Sequence, residues 1–254
     1  MAIENLKIAF FIQARMGSNR LPGKVLLPFD GDKSILEIIT SKIKANFKEI
    51  PLVICTSEAQ IDDKIISFCN ENNLDYYRGS EQNVLQRFLD AAAFHNVDII
   101  IRVCADNPFL SVDFLNELLA YFYKNQDADY WSFKNAQEIP VIKTHFGFFA
   151  EIVTKEALQK VIKNTNDNLY LEHVTNYIYS HPDFRSKLKN LPEYLNERED
   201  LRFTIDDDDD FSILQLLYQD HKRNNHNLKR TILYIDKNKV FLDKMKNNIN
   251  KYSK

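Results

Sequence analysis

Three short apolar runs, each followed by a helix-like segment, constrain this chain more than any other feature. KIAFFIQ (7–13), PLVICT (51–56) and VDIIIRVCAD (97–106) are nearly continuous in hydrophobic residues. That is the pattern of strands covered on both faces. Between and after them, SILEIITSKIKANF (34–47), IDDKIISFCNENN (61–73), NVLQRFLDAAAFH (83–95) and VDFLNELLAYFYKN (112–125) repeat apolar residues at helical spacing. Ser34 and Glu37 fit a capping box at the first of these helices. LDYYRG (74–79) and DADYWSF (127–133) read as further strands. The alternation predicts an α/β fold with an open sheet and right-handed crossovers.

The second half is less regular. KTHFGFFAEIV (143–153) and DLRFTID (200–206) read as strands. KEALQKVIKN (155–164), LEHVTNYIYSH (171–181) and DFSILQLLYQDHK (210–222) read as helices. No Pro/Gly/Ser-rich linker divides the chain, so a single domain over 1–254 with an insertion at about 134–198 is expected. The end, DKMKNNINKYSK, reads as a frayed, solvated helix.

With 254 residues, 44% of them hydrophobic, the chain can bury a large core. Its net charge of -3 excludes a global basic field for nucleic acid, so anion binding must be local. Cys55, Cys69 and Cys104 lie in apolar segments without metal-ligand spacing, as reduced buried thiols do. No run is long enough to span a bilayer, and the start has no cleavage pattern. A soluble cytoplasmic protein is expected.

The first strand runs straight into FIQARMGSNRLPGKVLLPF (11–29), where Arg15, Arg20 and Lys24 are interleaved with Gly17, Ser18 and Gly23. In open α/β sheets ligands bind beyond the carboxyl ends of the strands. Glycines admit backbone N–H groups to an anion, and the cations neutralise it, so a polyphosphate is the natural ligand. The alternative is a solvated basic turn. There is no G-x-G-x-x-G. Five residues separate Gly17 from Gly23 where a Walker A loop has four, and Val25 stands where its Ser or Thr would hold magnesium. A P-loop is excluded. Asp106 and Asp206 each close a strand-like run. A carboxylate facing a triphosphate needs a cation, which magnesium supplies. The alternatives are a turn Asp ahead of Pro108, and an acidic helix start within the run 206–210.

IQARMGSNRLPGKVLLPF resembles the nucleotide loop of the cytidylyltransferases that make CMP-activated acidic sugars. The chain is similar to the spore-coat polysaccharide F type, related to CMP-Kdo and CMP-acylneuraminate synthetases. YYRGSEQNVLQRF, IIRVCADNPFL, HFGFFAEIVTKEAL, LEHVTNYIY and RFTIDDDDDF resemble further family segments in the family's order. The resemblance implies a Rossmann-like, mixed but mostly parallel sheet of the nucleotide-diphospho-sugar transferase type, with an inserted dimerisation and acceptor subdomain. It implies Mg2+ (or Mn2+) bound by Asp106 and Asp206, CTP and an acidic sugar as partners, and a homodimer. Arg15, Lys24, Asp106 and Asp206 take catalytic roles by this resemblance. Ala14, Arg15, Gly17, Ser18, Arg20 and Lys24 match the phosphate loop, with Arg20 either binding phosphate or bracing the loop. Thr56, Ser57, Arg78, Gly79, Ser80 and Asn83 match the nucleoside pocket. Lys143, His145, Gly147, Glu151, Glu172, His173 and Thr175 match or neighbour acceptor positions. Asp210 falls on a helix-capping position, and Asp207, Asp208 and Asp209 read as surface.

Four residue-level alternatives stand beside these. Arg78 and Arg87 also fit surface ion-pairing residues, His173 fits a partly buried residue beside Tyr177, and HFGFF fits core or a dimer interface. Rival activities are transfer to a sugar phosphate or alditol phosphate, nucleotide binding without turnover, and glycosyl transfer. The last wants a D-x-D motif on the nucleotide-binding half, and the matches here lie near the other end.

Overall fold

The computed structural model describes residues 6–252. Its centre is a seven-stranded sheet. In chain order the strands are β1 (Ile8–Gln13), β4 (Leu52–Ser57), β5 (Asp75–Gly79), β6 (Ile99–Cys104), β7 (Tyr130–Lys134), β8 (Glu151–Thr154) and β9 (Ser186–Asn190). A separate small ribbon pairs β2 (Pro28–Asp30) with β3 (Lys33–Ser34). The order in the sheet is β5-β4-β1-β6-β8-β7-β9. All the pairings are parallel except the two made by β8. This is the Rossmann-like, mostly parallel architecture of nucleotide-diphospho-sugar transferases.

The two-sided burial read from the apolar runs is carried by alternate residues. Phe10, Ile12, Ile99 and Ile101 enter one core with α1 (Ile35–Asn46), α4 (Val112–Lys124) and α9 (Asp208–Arg223). Ala9, Phe11 and Ile100 enter the other with α3 (Val84–Phe94) and α5 (Lys155–Asn164). The period of two in a strand allows one run to serve two cores. Ser34 caps α1 as expected, its hydroxyl accepting from the Glu37 N–H at 3.2 Å.

Several elements differ from the sequence reading. Of the expected strand 143–153 only the end is strand, as the start of β8 (Glu151–Thr154). Gly147 sits at φ +61, and a Cβ there would lie 2.7 Å from the Phe203 backbone, so the chain bends away before β8 begins. Residues 200–206 form no strand. Their backbone docks by the Phe203 N–H on the His145 carbonyl at 2.8 Å, with Phe203 and Ile205 buried. The expected helix 171–181 is broken into α6 (Asn168–Glu172) and α7 (Asn176–Ser180). β9, to which the sequence reading assigned no element, is a Lys-bearing edge strand, the composition that shields an edge. Residues 134–198 contribute β8 and β9 to the main sheet along with α5 to α7 and a short α8 (Glu193–Asn196).

The C-terminal end is also different. After α10 (Leu228–Lys237), α11 (Lys239–Tyr252) packs back on α9 and α10 rather than fraying into solvent. Met245 is buried, and Asn248 bonds to Asp210. Residues 253–254 of the expected frayed helix lie outside the described residues.

Candidate active site

The carboxyl ends of β5, β4, β1 and β6 share one edge of the sheet, because these strands are parallel neighbours. The cationic loop leaves β1 there, Asp106 follows β6, and the segment ending at Asp206 comes alongside.

The loop is shaped by a residue the sequence reading assigned only to a helix. Asp62, buried just ahead of α2 (Asp63–Glu71), accepts from the Met16 N–H at 2.7 Å with one oxygen. Its other oxygen accepts from the Ser57 N–H at 3.1 Å, the Thr56 hydroxyl at 3.2 Å and the Ser57 hydroxyl. One carboxylate therefore ties the β1 loop to the end of β4. An aspartate opening a helix reads as a cap in sequence, so nothing there pointed to a role across the sheet. The loop closes when the Gly23 N–H meets the Met16 carbonyl at 2.9 Å. Gly23 is at φ +71, and a Cβ would come within 2.9 Å of the Met16 methyl.

Lys24, Asp106 and Asp206 converge. Lys24 Nζ is 2.9 Å from Asp106, 3.8 Å from Asp206, and donates to the Ile205 carbonyl. Arg20 reaches the same Asp206 oxygen at 2.8 Å, and Arg202 takes the other at 2.7 Å. Burial pushes the Asp206 carboxyl up, but Lys24, Arg202 and Arg20 outweigh it and hold it below the usual carboxylate range. Arg202, missed by sequence reasoning, is almost fully buried. It makes two bonds to Asp210, both at 2.7 Å, and donates to His145 Nδ1 at 2.7 Å. Burial, then the Arg202 charge, lowers the His145 pKa, so the ring is neutral at pH 7. With Nδ1 accepting, its proton sits on Nε2. An "R-x-x-x-D-x-x-x-D" spacing (202, 206, 210) was the legible trace of this network.

The acidic run sorts differently from the expectation. Asp207, not Asp210, caps α9, accepting from the Asp210 N–H at 2.9 Å. Asp207 is buried and also meets Lys251 at 2.8 Å, so only Asp208 and Asp209 of the three are surface residues. Asp210 is buried against Arg202 and Asn248.

A pocket of about 510 Å³ opens beside these carboxylates, within the range of small-molecule sites. It is lined by Asp106 and Asp206 together with Lys143, His145, Gly147, Glu151, His173 and Thr175. All the positions expected to meet the acceptor, except Glu172, thus share one cavity. Glu172 instead faces Arg15 across 3.5 Å, both half-exposed. Glu151 is engaged within the wall. It pairs with Arg102 at 2.6 Å and accepts from the Tyr130 and Thr175 hydroxyls. Arg102 continues to Gln13 on β1 at 3.0 Å. His173 is exposed on the pocket rim, and Tyr177 stacks on His181 instead, 3.6 Å between centroids. The aromatic run is core: Phe146, Phe148 and Phe149 are all buried.

The positions expected at the nucleoside form a scaffold. Thr56 and Ser57 are buried with their hydroxyls on Asp62. Arg78 braces the turn after β4 through the Ser57, Glu58 and Ala59 carbonyls and pairs with Asp63 at 2.8 Å. Gly79 gives Arg87 room, since a Cβ would lie 3.0 Å from its side chain. Ser80 accepts from the Asn83 N–H, and Asn83 caps α3. Arg87 is not a surface residue: it is fully buried and donates to the Ser80 carbonyl at 2.9 Å. Ala14 is buried where β1 ends, its N–H on the Cys55 carbonyl, and the Ser18 hydroxyl accepts from the Leu21 N–H at 3.4 Å.

Among the described residues no group of three His, Cys, Asp or Glu is arranged around a metal position. Two carboxylates do converge on one cation, the Lys24 ammonium. An oxygen pair of this kind fits magnesium or manganese, which take one or two protein carboxylates and complete their shell with phosphate oxygens and water.

A family model described as cytidylyltransferase matches residues 9–240. The chain is 38% identical over 234 residues to the uncharacterized protein MJ1063 of Methanocaldococcus jannaschii, covering 92% of each. It is 34% identical over 219 residues to the spore coat polysaccharide biosynthesis protein SpsF of Bacillus subtilis, covering 84% of this chain and 86% of that one. A 3-deoxy-manno-octulosonate cytidylyltransferase of Trichlorobacter lovleyi is 27% identical over 123 residues, 47% of this chain and 46% of its own. Among solved structures, a cytidylyltransferase from Leptospira borgpetersenii serovar Hardjo-bovis superposes with a TM-score of 0.77 at 31% identity, covering 93% and 97% of the two chains.

Proposed function

The chain belongs to the cytidylyltransferase family, and we propose that it transfers CMP from CTP to a hydroxyl of an acidic sugar, a ulosonic or nonulosonic acid, releasing pyrophosphate. The acceptor oxygen bonds to the α-phosphorus, the bond from that phosphorus to the β-phosphate oxygen breaks, and the hydroxyl proton passes to solvent. The observation that carries this reading is the meeting of Lys24, Asp106 and Asp206 at the strand ends beside a pocket of about 510 Å³.

A magnesium or manganese ion held by Asp106 and Asp206 would supply charge neutralisation of the triphosphate. The chain's own part is positioning and electrostatics. Arg15 and Lys24 place positive charge where the pyrophosphate leaves, and the loop amides are held in place by Asp62. Arg20 and Arg202 fix Asp206 as a carboxylate. The scaffold of Thr56, Ser57, Arg78, Gly79, Ser80 and Asn83 bounds the nucleoside end. Lys143 and the Nε2–H of His145 are the donors for the acceptor's carboxylate, while the wall network of Arg102, Glu151 and Thr175 sets the pocket's shape. The similarity to a 3-deoxy-manno-octulosonate cytidylyltransferase supports the acidic-sugar class, and the similarity to a spore coat polysaccharide biosynthesis protein supports a role in polysaccharide synthesis. We further propose a cytoplasmic homodimer, checked by light scattering of the purified chain.

The test is pyrophosphate release from each of four nucleoside triphosphates against a panel of acidic sugars and alditol phosphates, with product mass read out. CTP with an acidic sugar and a monophosphate linkage is expected. A diphosphate linkage would replace this reading with transfer to a phosphorylated acceptor, and CTP binding without release on the whole panel would replace it with nucleotide binding alone.

A further inference from the structure

A second cavity, of about 530 Å³, shares no lining residue with the candidate active site. It lies between the C-terminal half of α1, the start of α4 and the end of α9. Lys42 of α1 is its central charge. Its ammonium donates to the Leu110 carbonyl at 2.8 Å and more weakly to the Pro108 carbonyl at 3.4 Å. No carboxylate among the described residues lies within ion-pair distance of it. An ammonium has three protons, so one remains for a ligand.

The surroundings leave this charge uncompensated. Burial alone pushes the Lys42 ammonium down to about 8. Lys222 is already paired with Asp30 at 2.5 Å, which cancels both. That leaves Lys33 and Lys42 against the one remaining lining carboxylate, Asp113. His221 adds no charge. Burial drives its pKa to about 3, and its Nδ1 is held to the Thr231 hydroxyl at 2.8 Å. The first turn of α4, opened by Ser111 as cap, borders the cavity and brings the positive end of a 13-residue helix to it. Phe109 and Tyr218, almost fully buried and in edge contact at 5.3 Å, back the cavity.

We propose that this cavity is a second, non-catalytic binding site for a small organic phosphate, its anionic group on Lys42 at the start of α4 and its organic body in the rest of the cavity. A doubly charged group suits a site with two separate sources of positive potential and a single opposing carboxylate. The site also touches what positions the catalytic carboxylates. Lys42 holds the carbonyls of Pro108 and Leu110, just past Asp106, and Phe109 packs on Phe203 at 5.0 Å, just before Asp206.

Phenyl phosphate is the probe, titrated calorimetrically into the full chain with and without excess CTP and magnesium. One saturable event is expected that persists under CTP and weakens about tenfold or more in Lys42→Met. Because Lys42→Met also frees two carbonyls and can unfold the turn, Ser41→Trp is the second variant. It fills the mouth from an exposed position and leaves Lys42 in place, and it is expected to weaken binding to the same degree. Absence of saturable binding, displacement by CTP, or unchanged binding in Ser41→Trp overturns the proposal.

Discussion

Asp106 and Asp206 face the same lysine, yet they are held by different means. Asp106 follows β6, a strand bonded on one side to β1 and on the other to β8. Its position is inherited from two ladders, and Lys24 pairs with it at 2.9 Å. Asp206 ends a segment with no ladder. It is placed by side chains: Arg20, Arg202 and Lys24 around it, Asp210 behind Arg202, and Asn248 from α11 behind Asp210. A backbone-positioned carboxylate resists remote substitution, whereas one positioned by a chain of ion pairs inherits every weakness of that chain.

Four experiments break or sharpen this contrast. Asp106→Asn keeps the strand and the shape of the side chain and removes a charge from the site. We expect pyrophosphate release to fall about a thousandfold with the urea midpoint nearly unchanged, measured side by side. Arg202→Met does the reverse. It strands the buried Asp210 carboxylate, costing about 3 kcal/mol in urea unfolding, and lowers activity because Asp206 loses a brace. If Arg202→Met unfolds no more easily than the native chain, the ion-pair scaffold is not what holds Asp206.

Asn248→Ala reaches the same carboxylate from farther away. Losing its 2.8 Å bond to Asp210 should cost about 1–2 kcal/mol, with a small drop in activity. This outcome separates a docked α11 from a frayed one, since a residue in a frayed helix would cost nothing.

The smallest effect is in pH. The Asp206 carboxyl is held below its ordinary value of 3.8 in the folded chain. On acidification the unfolded chain therefore takes up this proton first. The stabilisation is whole above the ordinary value and fades as pH falls through the lower, folded one. The stability gap between the native chain and Asp206→Asn should narrow between pH 7 and pH 2, followed by urea unfolding at each pH.

The contrast also explains what could be read in advance. The parallel half of the sheet was legible because burial on both faces writes itself as continuous apolar runs, and Asp106 was legible because it ends one. β9 was not, since an edge strand bearing Lys187 and Lys189 has the composition of a loop. The break between α6 and α7 was hidden because both flanks keep helical spacing. Asp62 and Arg202 were missed because each acts through partners distant in sequence or in role: Asp62 across 46 residues to Met16, Arg202 across 57 to His145.

The sequence by itself determined the α/β alternation, the cationic loop after the first strand and the family, because each depends on local pattern or on motifs in order. Only the tertiary structure decided how the acidic run divides, with Asp207 as cap, Asp210 as the buried partner of Arg202, and Asp206 left facing Lys24. Five adjacent aspartates are equivalent in a string of letters. They become distinct only when a helix start, a buried guanidinium and a distant asparagine give each carboxylate a different neighbour and a different depth.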